Sequence, residues 1–182
     1  MDKKSQYEAF ARGLCRLVEG GDSGALAALR RSLSFPPGDD TRVYPIVAPI
    51  VAGPVRSAWE KRGVFLTAGL FALWHRGRSR SASAAGINLG TAMRRAFTAK
   101  SGGKLSDSDG KRFSRILASD ADEIGHHLRS VMEMCRTASV AIDWGMLAHH
   151  LDSWSHPYSW VQRVWAESFW MPIAKTEKEK AS

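Results

Sequence analysis

Nine cations, Lys61, Arg62, Arg76, Arg78, Arg80, Arg94, Arg95, Lys100 and Lys104, stand between Glu60 and Asp107 with no acidic residue among them. A block so one-sided repels itself and is costly to keep compact unless something negative lies against it. The regular phosphate charge of a nucleic-acid backbone suits that chemistry best. The plainer reading is a solvated basic face that only aids solubility. Across all 182 residues the formal charge is +8, so the excess is not cancelled elsewhere.

More cations follow at helical spacing. Lys111, Arg112 and Arg115 share a face by their three- and four-residue separations. Arg129 comes three residues after His126, and Arg136 and Arg163 stand singly. Arg30 and Arg31 close an early helix, where the helix dipole alone favours positive charge. Any one of these could be a snorkelling side chain or a weak surface ion pair. Together they compose a phosphate-tracking surface built from several helices. The seven tryptophans, at 59, 74, 144, 154, 160, 165 and 170, fall mostly at apolar helical positions and are expected in the core. Without an ordered array of stacking aromatics, binding should run through backbone and shape, with little sequence preference.

Catalytic and metal chemistry find little support. His126-His127 and His149-His150 are adjacent pairs, and neighbours on a helix point about 100° apart. No carboxylate or cysteine stands beside them at ligand spacing, so neither metal nor cofactor is expected. No nucleophile elbow is present, and Gly20-Gly21 and Gly102-Gly103 lack the pattern of a phosphate-binding loop. A nuclease would need clustered carboxylates for a divalent metal, whereas most acids here sit at helix starts, where capping accounts for them. The sequence reads as a non-enzyme.

The elements that must position the cations are helical. Tyr7, Phe10, Leu14 and Val18 repeat at helical spacing up to Gly20-Gly21, and Asp22 or Ser23 can cap a second helix that stops at Pro36-Pro37. Residues 39–55 hold Pro45, Pro49 and Pro54 and predict a short, broken helix. Ala58 to His75 is a firm helix with Trp59, Phe65, Leu70 and Trp74 as core candidates. The basic, serine-rich stretch 76–85 is expected to stay mobile until a phosphate chain orders it. Helix starts follow at Asn88, at Ser106 with Asp109, at Asp120 with Glu123, at Asp143, and at Ser155-His156-Pro157. The fold class is all-α: a compact bundle of about eight helices, divisible into an N-terminal half 1–80, a C-terminal half 86–172 and a charged tail 173–182. Cys15 and Cys135 suit reduced thiols of a cytoplasmic protein. The polar start lacks a signal region, and the longest apolar run, 64–74, is too short to cross a bilayer.

Several motifs then resemble the CasB family, the small subunit of the type I-E CRISPR Cascade surveillance complex. Residues 25–31, Ala-Leu-Ala-Ala-Leu-Arg-Arg, are similar to an early family motif, and 86–95, Gly-Ile-Asn-Leu-Gly-Thr-Ala-Met-Arg-Arg, to a later helix. Lys111 to Leu117 with Asp120, His126 to Arg129, Ile142 to Leu147, and 161–170 continue the likeness in order. The resemblance implies a non-catalytic subunit of antiviral defence. Two copies would pack head to tail along an RNA-guided complex, touching its backbone subunits and large subunit. Arg30, Arg31, Arg94, Arg95, Lys111, Arg112, Arg115, Arg129 and Arg163 are the expected phosphate-neutralising face for single-stranded DNA and the guide RNA–DNA hybrid region. Such contacts could tip R-loop formation, a nearly balanced exchange of duplexes. Two alternatives are an architectural protein whose arginines grip acidic protein surfaces, and a free-standing DNA-binding regulator. The second lacks a recognition helix rich in Arg, Asn and Gln after Asp120.

Overall fold

Short polar side chains start most of the helices by accepting an otherwise unpaired backbone N–H. The computed structural model describes residues 2–51, 53, 57–99 and 101–171. The core placement expected of Trp59, and the structural readings of Pro54, Lys100 and the 173–182 tail, lie outside what is described. Asp2 opens α1 (Lys3–Glu19), and Asp22 opens α2 (Ser23–Ser32) by accepting from the Ala25 N–H. Residues 41–50 form the expected broken helix: two 3-10 turns, Thr41–Val43 and Ala48–Ile50, around the single-turn α3 (Tyr44–Val47). Ser57 caps α4 (Ala58–Trp74), and Asn88 caps α5 (Leu89–Thr98). Ser106 and Asp109 make a reciprocal capping box on α6 (Asp107–Ala118). Asp143 caps α8 (Trp144–Asp152). No strand occurs among the described residues, and the all-α expectation holds.

Two starts differ from expectation. Asp120 accepts from the N–H groups of Asp122 and Glu123, but it does so in a turn ahead of α7 (Ile124–Thr137), without the reciprocal bond of a capping box. The last helix, α9, runs from Trp160 to Trp170 rather than from Pro157. His156 and Ser159 instead bond back to Ser153 and His156 in consecutive turns that follow α8. The chain then enters α9 through Ser159 in the left-handed region, at φ 45°.

α4 is apolar nearly all round and is accordingly buried at the centre, which is where such a helix must go. It packs against α2, α7 and α8, while α8 also meets α1 and α5 meets α9. A hydrophobic cluster including Leu14, Leu29, Phe71, Trp74, Met93, Leu128, Trp144 and Trp165 joins elements from both ends of the chain. Two glycines permit the closest crossings. A Cβ on Gly63 would lie 2.8 Å from the Asp152 backbone N, and one on Gly90 would lie 2.2 Å from the Trp165 carbonyl oxygen.

The basic stretch after α4 is pinned rather than left to a ligand. Buried His75 bonds through Nδ1 to the Phe71 carbonyl, and its Nε2 accepts the Ala82 N–H at 3.0 Å. The Ala82 carbonyl accepts from Trp144 Nε1 at 2.8 Å. Ala84 N–H donates to the Ile142 carbonyl, and Gly86 N–H to the Asp143 carboxylate. Burial holds the His75 pKa down to about 4, so the neutral ring that accepts from Ala82 is the resting form. These partners lie about sixty residues along the chain, which is why local composition suggested mobility.

Candidate nucleic-acid interface

α7 carries two polar stripes. His126, Arg129, Glu133 and Arg136 recur at three, four and three residues and face α4 and the end of α2. His127, Ser130 and Met134 lie on the adjoining stripe toward α6. Each stripe borders a separate group of cations.

The first group lines a groove floored by α4, between α7 and the α2 end with its following loop, 32–40. Burial, then the like charges of Arg76 and Arg31, hold the Arg30 guanidinium pKa below its ordinary value. Arg30 therefore feels the like charge of both neighbours. Arg76 reaches Glu133 at 3.8 Å, and Arg136 Nε meets the same carboxylate at 2.8 Å. Arg78 packs 4.2 Å from the Trp74 ring and donates to the Arg136 carbonyl. Further along, Arg42 forks onto Asp40 at 2.8 and 3.0 Å, and Arg62 pairs with Asp122. The Arg42 hydrogen bond holds the Asp40 carboxyl below the usual carboxylate range. A cavity of about 370 Å³ opens at this end, with Arg62, His126 and Arg129 in its wall.

The second group forms a face on α5, α6 and the outer side of α7. Arg112 donates to Ser130 Oγ at 2.9 Å and lies 5.9 Å from the Phe97 ring. Arg115 shares a shallow depression with Glu123, His126 and His127. Lys111 borders another with Gly110 and Trp170, and Arg95 is exposed on α5. His126 belongs to both the cavity and the Arg115 depression, so it marks the crossing between groove and face.

The structure therefore places Arg129 in the cavity wall, with Arg30 and Arg31 at the end of α2 that leads into it. It places Lys111, Arg112 and Arg115 on the face, with Arg95 exposed on α5. Arg94 also serves the fold. It donates to the Phe169 carbonyl at 2.7 Å and ties α5 to the end of α9. Arg163 is exposed on α9, and no hydrogen bond or ion pair among the described residues ties its side chain to either group. Ion pairs among the described residues involve Lys3, Lys4, Arg42, Arg62, Arg76 and Arg136, and none of the nine expected contacts takes part. Arg62 and Arg76, read from the sequence as part of the cationic block, and Arg136, read as part of the phosphate-tracking surface, were not among the nine expected contacts. Arg42 was not singled out at all. The three-four-three spacing on α7 was the available signal for Arg136; the pairing of Arg62 with Asp122 and of Arg76 with Glu133 needed the packing of α4 on α7, and that of Arg42 with Asp40 is local.

Of the two histidine pairs, His149-His150 packs into the fold, whereas His126 is exposed and His127 half-buried on α7. His150 is buried, its Nδ1 accepts from Trp165 Nε1 at 2.8 Å, and burial lowers its pKa to about 4. No group of three or more His, Cys, Asp or Glu side chains suited to a metal occurs among the described residues. Cys135 is buried and Cys15 half-buried, both as free thiols. No helix among the described residues is long and apolar enough to cross a membrane.

Comparison with known proteins adds a family to this geometry. The family model of the CRISPR-associated protein Cse2 matches residues 25–170. A Cse2 protein of Thermus thermophilus is 32% identical over 158 residues, spanning 87% of this chain and 85% of its own. The crystal structure of CasB from Thermus thermophilus superposes with a TM-score of 0.73 at 31% identity, covering 90% of this chain and 96% of that one. A chain of a CRISPR RNA-guided surveillance complex in a pre-nicking state gives a TM-score of 0.73 at 26% identity, with 91% and 92% covered.

Proposed function

The chain belongs to the CRISPR-associated Cse2 family, and on that premise we propose that it is the non-catalytic small subunit of an RNA-guided surveillance complex. It holds nucleic acid by its phosphates and leaves the sequence to guide pairing. The observation that carries this reading is that none of the nine expected cations is spent on an ion pair among the described residues. Arg112 is the sharpest case. A neutral hydroxyl and an aromatic ring hold its guanidinium in place, so the orientation is set while the charge stays unneutralised. Presented that way, it can meet a phosphate without first breaking an ion pair.

In the assembled complex, such contacts stabilise the opened target, both the guide-paired strand and the displaced strand. Because the exchange of duplexes is nearly balanced, a few phosphate contacts are enough to tip it. Copies associate head to tail and rest against the backbone and large subunits, in the cytoplasm.

The test replaces Arg95, Lys111, Arg112 and Arg115 with Glu, leaving Arg94 intact because α9 depends on it. In a reconstituted complex, the R-loop lifetime should fall roughly tenfold or more, and its dependence on salt should flatten by about one unit of log–log slope per lost contact. An unchanged lifetime in a complex shown to contain the variant subunit would remove the assignment.

A further inference from the structure

Resting on the nucleic-acid reading above, we propose that the cavity between the 32–40 loop, α4 and α7 receives one unstacked nucleotide of a single strand, with its base on Phe35 and its phosphate on Arg129. The cavity holds about 370 Å³, within the range of small-ligand pockets and far too small for a duplex. Its two sides differ in chemistry.

One side is apolar and flat. Phe35 is 45% exposed, one of four large apolar side chains left open among the described residues. Arg42 lies over its ring at 5.5 Å and is itself locked to Asp40. One ring face is thus covered by a fixed cation, and the exposed remainder is what a base can stack on. Pro36 and Pro37 stiffen the loop behind it.

The other side is cationic. Arg129 Nε is buried and has no hydrogen-bond partner, one of the few side-chain atoms among the described residues in that condition. No protein acceptor among the described residues offsets this guanidinium, so its charge is left for an anion at the cavity wall. Both carboxylates in the wall, Asp40 and Asp122, are already engaged by Arg42 and Arg62. The polar capacity left over is therefore for an anion. A ligand anionic at one end and flat at the other is a nucleotide; an acidic peptide would satisfy Arg129 but leave the Phe35 ring unmatched. His126 then leads the strand from the cavity across α7 to Arg115.

The test measures binding of the full chain, by fluorescence anisotropy, to an oligodeoxythymidine and to an abasic strand with the same phosphates. The base-bearing strand should bind on the order of tenfold tighter. Phe35→Ala should erase that preference while leaving the abasic affinity alone, Phe35→Trp should keep it, and Arg129→Gln should weaken both strands several-fold. Equal affinity for the two strands, with ordinary salt dependence, would overturn the base pocket and leave the phosphate reading standing. No binding to either strand at low salt would overturn both. Displacement of the oligonucleotide by a glutamate-rich peptide bearing one phenylalanine, with that competition lost in Phe35→Ala, would transfer the cavity to a protein partner.

Discussion

The α2–α7 groove and the α5–α6 face both gather arginines, but they hold them by different means. In the groove, Arg42, Arg62, Arg76 and Arg136 are partnered by Asp40, Asp122 and Glu133. On the face, Arg112 is held by a serine hydroxyl and a phenylalanine ring, and no ion pair among the described residues reaches Arg95, Lys111 or Arg115. The lesson is about availability. A paired arginine must exchange one anion for another, so its net gain on meeting a phosphate is small. An arginine positioned by neutral groups keeps its full charge for the ligand. The groove, by contrast, gains shape: its ion pairs fix the walls of a cavity.

The largest expected effect would break the comparison by removing the face's support. Gly90→Ala drives a methyl into the Trp165 carbonyl and should pry α5 from α9. We expect a loss of about 3 kcal/mol, from the scale of overpacked cores, read as a fall in the thermal midpoint. The groove lies on α2, α4 and α7, so fluorescence of a probe at its mouth should change less than one on α5.

Acid should sharpen the contrast from the other side. The loop bearing Arg76, Arg78 and Arg80 is clamped by neutral His75, whose folded pKa of about 4 lies below its ordinary 6.5. Below 6.5 the unfolded chain takes up this proton while the folded chain does not, so the stability contribution is present at neutral pH and is lost as pH falls toward 4. By about pH 5 that one group should cost about 2 kcal/mol. Chemical denaturation of the native chain and of His75→Gln at about pH 7 and about pH 5 checks it. The variant should start weaker and lose less; parallel losses would discard the clamp as the cause.

The smallest effect concerns the ion pairs. Glu133→Gln frees Arg76 and Arg136, and should raise affinity for single-stranded DNA a few-fold while steepening the salt dependence by about one unit of log–log slope. Ser130→Ala beneath Arg112 should change affinity by less than about twofold, since the hydroxyl orients a charge it does not neutralise. Equal responses at both positions would erase the distinction between groove and face.

Much of the fold was legible because its signals are local. Asp22, Asn88, Ser106 and Asp143 cap the helices assigned to them, since a capping bond closes within three residues. The prolines at 45 and 49 break residues 41–50 as their type dictates. The 76–85 stretch departs from expectation because its order comes from Ile142, Asp143 and Trp144. The start of α9 falls later than expected because Pro157 suits a turn as well as a helix opening.

The same division holds for function. The sequence by itself determined the helical class, the excess of positive charge, the want of catalytic motifs and the family likeness, all of which follow from residue type and short-range spacing. Only the tertiary structure decided which arginines are paired, that Arg94 serves α9, and that Phe35 and Arg129 share one cavity. Charge is a property of a residue. Whether that charge is neutralised depends on what folding brings beside it, and several of the partners here come from far along the chain, as in Arg62 with Asp122, Arg76 with Glu133, and Arg94 with the Phe169 carbonyl.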